Sequence, residues 1–224
     1  MKVRTFLMIV PFCLWMTAGC ARTPVLVPAP DSSLQVTGST VVDKIKGVSV
    51  AVSGDKWKGD FQVRDFVTPM EVTINNRHGS LLKIGYNLFS LRDTSGNLYS
   101  VLPPYSVKGT IREYGSSYYC PGFYVAPYYS QFYPRMPGYP DPFYYDPFYY
   151  DYYYNCWRDV NLPTPEMLDL ALPEGVLENG AKATGFLYFE KIGEADRYTF
   201  EMDLVDAKTG ERFGTVSIPF IKKK

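Results

Sequence analysis

Residues 197–204 read Arg197-Tyr198-Thr199-Phe200-Glu201-Met202-Asp203-Leu204. Apolar and polar side chains alternate without a break. An extended chain therefore puts Tyr198, Phe200, Met202 and Leu204 on one face and the charged and hydroxyl groups on the other. One dry face and one wet face is the pattern of an antiparallel sheet. The same signal recurs outward from this stretch. Lys208-Thr209-Gly210 turns the chain into an apolar strand over 213–220, and residues 186–190 form a short apolar strand upstream. Val48, Val50 and Val52 alternate with Ser49, Ala51 and Ser53, as Met70, Val72 and Ile74 do with Glu71, Thr73 and Asn75. Asn75-Asn76-Arg77-His78-Gly79 reads as a hairpin-like turn before the apolar stretch 81–92. Residues 93–97 form another turn, into a strand over 98–102, and Val107, Gly109 and Ile111 suggest one more. Thr164-Pro165-Glu166 starts a helix that Pro173 keeps short. Roughly seven to nine strands without strand–helix alternation predict an all-β antiparallel sandwich over 36–224.

Residues 118–154 break this pattern. Fourteen tyrosines and seven prolines fall within them, and a five-residue unit recurs as Asp141-Pro142-Phe143-Tyr144-Tyr145 and Asp146-Pro147-Phe148-Tyr149-Tyr150, then Asp151-Tyr152-Tyr153-Tyr154. Proline at this density excludes a regular helix or a central strand, yet the composition is too aromatic for a solvated disordered tract. The segment is expected to be a long loop inserted between sandwich strands. It would fold over a sheet as a lid, bind a partner, or act as filler. Tyrosine gives wide amphipathic contact at low entropic cost, which makes Tyr144, Tyr145, Tyr149, Tyr150, Tyr152 and Tyr153 the candidate binding residues. Cys120 and Cys156 bracket the segment. Outside the cytoplasm they are expected to form one disulfide, the alternative being two unpaired thiols.

The amino terminus reads as an address. Lys2 and Arg4 precede an apolar run over 6–16 that is about 11 residues long, too short for a helix to cross roughly 30 Å of hydrocarbon. Small residues follow, as in a secretory signal. Thr17-Ala18-Gly19-Cys20 resembles the lipobox of bacterial lipoproteins, with Thr17 where leucine is usual. The resemblance implies cleavage after residue 19 and acylation of Cys20, the lipid attachment site. Ala21, rather than an aspartate, implies the outer membrane under the enteric-type sorting rule. The other reading is an ordinary secreted protein with Cys20 incidental. Pro24, Pro28 and Pro30 make residues 20–35 a polyproline-like tether from lipid to domain.

Charge and residue inventory narrow the chemistry. Lys plus Arg and Asp plus Glu each number 23, so a basic nucleic-acid surface is not expected. His78 is the one histidine, in a turn where an exposed side chain is expected, and it leaves no imidazole partner for a metal site or a triad. No Gly-rich phosphate loop or Gly-x-Ser-x-Gly elbow occurs. Asp141, Asp146 and Asp151 lack the spacing of a calcium loop. No cofactor, metal or enzymatic activity is expected. Residues 222–224 read as a frayed basic tail, with anionic headgroup contact as the alternative.

Val67-Thr68-Pro69, Asn75-Asn76, Leu102-Pro103-Pro104, Leu172-Pro173-Glu174-Gly175 and Gly185-Phe186-Leu187-Tyr188-Phe189 together resemble uncharacterised bacterial lipoproteins with an immunoglobulin-like domain. That resemblance covers about two thirds of the chain and implies an immunoglobulin-like β-sandwich, with no active site attached. The functional expectation is a lipid-anchored, non-catalytic cell-envelope protein, structural or partner-binding through its Tyr-rich insert. The alternative is a glycan- or cell-wall-binding module using stacked tyrosines.

Overall fold

A computed structural model describes residues 24–114 and 157–223. The strands among them are β1 (Val25–Pro28), β2 (Gln35–Thr37), β3 (Thr40–Ile45), β4 (Val48–Ser53), β5 (Val67–Asn76), β6 (Leu82–Ile84) and β7 (Phe89–Asp93). They continue with β8 (Leu98–Leu102), β9 (Thr110–Tyr114), β10 (Trp157–Asn161), β11 (Gly175–Leu177), β12 (Lys182–Glu190), β13 (Arg197–Val205) and β14 (Arg212–Lys223). The expected all-β character holds, and every strand ladder is antiparallel. One short helix, α1 (Pro165–Asp169), lies between β10 and β11. Thr164 caps it, its hydroxyl accepting the Met167 N–H at 3.3 Å, as the Thr-Pro-Glu start predicts.

Ten strands form one sheet in the order β1-β14-β13-β7-β8-β12-β5-β4-β3-β2. The sheet curls until β14 meets β3 and β1 meets β4. The corner is β8. Its residues 98–100 pair with β7, while Val101 and Leu102 pair with β12. The main core fills the inside of the curl. Tyr198, Phe200, Met202 and Leu204 all point into it and are at most 1 % exposed, so the alternation of β13 reads out directly as burial. The apolar run on β12 has a different cause. Leu187 and Phe189 enter the main core, whereas Phe186 and Tyr188 enter a second apolar cluster on the opposite face of the sheet. A strand dry on both faces has no polar positions to alternate with.

Several expectations are corrected. The expected tether over 20–35 contains a strand: residues 25–28 are β1, paired with β14 from Val25↔Lys223 to Pro28↔Phe220. Leu26 is buried in the main core. Proline is tolerated here because β1 is an edge strand and needs no ladder donor at Pro28. Within the basic tail, residues 222 and 223 are likewise not frayed but end β14. Leu26↔Lys222 is a ladder pair, and the Lys222 side chain is 5 % exposed, its ammonium donating to the Gly193 carbonyl at 2.8 Å. Residues 75–79 do not join two paired strands. β5 continues through Asn76 and pairs with β4 and β12, while β6 pairs with β11. Asn76 is fully buried, and its amide donates to the carbonyls of Ser80 (2.8 Å) and Leu177 (2.9 Å). The stretch 81–92 is interrupted by a 3-10 turn at Tyr86–Leu88. The strand placed at Val107 begins at Thr110 instead.

Candidate functional site

β9 and β10 form a two-stranded ladder of their own, ending at the pair Tyr114↔Trp157. In sequence the long insertion lies between these two residues, at 115–156, outside the described residues. Chain ends that are ladder partners need no further closure, so the length of what lies between them is weakly constrained.

The hairpin is held on the sheet by the second apolar cluster. Ile111 from β9 and Leu162 just after β10 pack with Met167 of α1, Val107, Val63 and Trp57 over Val67 and Tyr188 of the sheet. The Trp57 ring meets Phe186 and Tyr188 edge-on, with centroids 5.3 and 5.9 Å away. The indole N–H donates to the Asp60 carbonyl at 3.0 Å. Tyr188 donates its hydroxyl to the Met167 carbonyl at 2.9 Å, and burial raises its pKa well above the usual phenol value. The free edge of β9 is also tied down. The Gln62 side-chain amide donates to the Arg112 carbonyl (2.5 Å) and accepts the Arg112 N–H (3.1 Å), standing in for one residue of a neighbouring strand. Around this platform Phe61, Tyr105, Leu168 and Leu170 remain exposed.

The predicted site residues divide sharply. Cys20, Cys120, Cys156 and the tyrosines at 144, 145, 149, 150, 152 and 153 lie outside the described residues. His78 lies inside them and is not the freely exposed turn residue expected. Its ring stacks on Phe213 at 4.2 Å with the planes 2° apart. Its Nδ1 is 2.6 Å from the Lys46 carbonyl oxygen. A carbonyl can only accept, so the proton sits on Nδ1. Lys46 completes the staple by donating to the Phe213 carbonyl at 2.8 Å. This arrangement locks the β3–β4 turn to the start of β14 and is structural.

The chain matches no protein-family model, no curated protein and no solved structure. Sequence reasoning also missed a trough on the outer face of β8, β7, β13 and β14. Its cavity volume is about 810 Å³, and Arg92, Glu201, Asp203 and Arg212 are among its walls. The sequence signal for it is the polar half of the alternation on β13, Glu201 and Asp203.

Proposed function

We propose that the chain is a lipid-anchored, non-catalytic protein of the cell envelope, held at the outer membrane through Cys20. In this reading its immunoglobulin-like body presents the Tyr/Pro-rich insert 118–154 to an envelope partner. The observation that carries the reading is the hairpin β9–β10. The second apolar cluster, to which it contributes Ile111 and Val160, holds it on the outside of the sheet, and its last ladder pair flanks the insert. A packed root would give the insert a fixed point from which to be presented.

The immunoglobulin-like assignment has two supports. The runs β4-β5-β12-β8 and β7-β13-β14 within the curled sheet follow the A-B-E-D and C-F-G orders of a constant-type sandwich. Near the start of β13, the Tyr198 hydroxyl donates to the Gly193 carbonyl five residues upstream at 2.9 Å. That is the bond of a tyrosine corner. Burial pushes the Tyr198 phenol up to about 12, so it remains a neutral donor.

Crosslinking in intact cells, with the insert present and with it replaced, tests the function. An adduct that needs the insert supports the reading, and an identical adduct pattern without it refutes it. Cys20→Ser tests the anchor: lipid labelling should vanish and the protein should leave the membrane fraction, since no other strong hold is proposed.

A further inference from the structure

We infer that the trough across the outer face of β8, β7, β13 and β14 is a binding site for a neutral saccharide chain, separate from the insert. Strand register builds the trough. Ser100↔Ser90 and Ser90↔Glu201 are successive ladder partners, so the row across β8, β7 and β13 carries two short hydroxyl side chains and one carboxylate. Short side chains in one row lower the floor between taller neighbours. On one side of this row stand Leu98 and Arg92, themselves partners. On the other stand Asp203 and its partner Thr215, with Arg212 and Tyr86 beyond. The resulting volume of about 810 Å³ is in the upper range for small-ligand sites.

The charge pattern selects the ligand. Arg92 lies 3.4 Å from Glu201, and Arg212 lies 3.1 Å from Asp203. Arg212 Nε also donates to the Thr215 hydroxyl at 3.0 Å, and that hydroxyl donates to Asp203 at 3.1 Å. Each guanidinium is already matched by a carboxylate. Glu174, which accepts the Tyr86 N–H at 2.8 Å, leaves the trough with an acidic excess. An anionic ligand would meet no free cation and would be repelled. An apolar ligand would strand the ion pairs away from water without replacing their hydrogen bonds. An extended peptide joins a sheet at its edge, and this is the face of four paired strands. Hydroxyl-rich neutral ligands remain. Paired donors and acceptors set side by side suit adjacent sugar hydroxyls, each of which both donates and accepts. The Ser90 and Ser100 hydroxyls and the Asn87 amide make no hydrogen bond among the described residues and are available. Tyr86 adds a ring wall for the C–H face of a sugar, held in place because its hydroxyl donates to the Leu172 carbonyl at 2.9 Å.

The test is backbone NMR of the full mature chain titrated with neutral tetrasaccharides of glucose and of N-acetylglucosamine, and with an anionic tetragalacturonate. The expected result is saturable shifts at Ser90, Arg92, Glu201 and Thr215 with a neutral sugar, at concentrations up to about 10 mM. Binding should weaken about tenfold or more in Asp203→Asn, where a site built for hydroxyls loses a partner. Ser90→Leu fills the floor from the opposite side and should also abolish the shifts. Both positions face solvent across the sheet from the core, and an unchanged melting temperature verifies the fold. The variant with 121–155 replaced must still bind, which separates this site from the insert. The inference is overturned by no shift with any neutral sugar, by shifts confined to the insert, or by preference for the anionic sugar.

Discussion

Asp93 closes the turn between β7 and β8 with both of its carboxylate oxygens. One accepts the N–H groups of Ser95 (2.8 Å) and Asn97 (2.9 Å), and the other accepts from the Asn97 amide (2.8 Å) and the Tyr99 hydroxyl (3.2 Å). The Asn97 side chain foremost, against the pull of burial, holds this carboxyl below its ordinary value. A pKa lowered by folding contributes stability above the unfolded value, and that contribution is lost as pH falls through the folded one. Urea midpoints should therefore drop as the solution is acidified past about pH 4. Asp93→Asn should be less stable at neutral pH and lose less on acidification. A variant profile parallel to wild type would remove Asp93 as the cause. Phe200 is the other residue on which much depends. It is fully buried, with Phe89 and Phe189 at ring-centroid distances of 6.2 and 6.1 Å. Phe200→Ala should cost about 3–5 kcal/mol in chemical denaturation, and a loss under about 1 kcal/mol would mean the site collapses freely. At this scale the sequence was legible where one residue type meant one environment, as for Phe200. It was not where a polar residue is buried by distant chain. Asn76, His78 and Lys222 all looked like turn or tail residues. Their partners Leu177, Phe213 and Gly193 come from other elements, and no local pattern encodes them.

Strands were legible to the degree that each had one wet face. β4, β5 and β13 announced themselves by alternation, and β12 by an unbroken apolar run. β1 did not. Four residues carrying a proline read as linker, and only the pairing partner β14 at the other end of the chain makes them a strand. A glycine also permits it. A Cβ placed at Gly54 would lie 2.4 Å from the Leu26 carbonyl oxygen, a backbone atom that cannot rotate aside. β1 closes the curl by crossing the end of β4 at this point. Gly54→Val should therefore push β1 off the sheet. The expected cost is about 1–3 kcal/mol, the usual range for overpacking. The local signature is faster amide exchange at Ala29, whose N–H now donates to the Pro219 carbonyl at 3.2 Å. Exchange at Ala29 unchanged in a variant of normal stability would show that β1 is not clamped there. The hairpin β9–β10 was half legible. Ile111 was assigned to a strand, but the partner strand lies on the far side of the insert, where a window along the sequence does not reach.

Taken whole, the molecule has a body in which the two apolar clusters are formed by described residues, and an insert rooted at one ladder pair. If Cys120 and Cys156 are joined, as expected outside the cytoplasm, non-reducing mass spectrometry will recover them in one linked peptide. Two free thiols would refute the pairing. The bridge would span the base of the insert, which the fold already closes through Tyr114↔Trp157. Its loss should therefore change the insert more than the body. The stronger test exchanges residues 121–155 for a short Gly-Ser loop. The described residues of the two apolar clusters all lie outside that range. The hairpin ends stay paired, and loop closure shifts by only about 0.6 kcal/mol per halving of length. Thermal unfolding should then remain a single transition within a few degrees of the parent, while Phe200→Ala melts far lower. Crosslinks to an envelope partner should disappear with the loop, whereas neutral-sugar shifts in the β7–β13 trough should persist. If the exchange unfolds the body instead, the insert contributes to the core, and its role as a free binding segment has no basis.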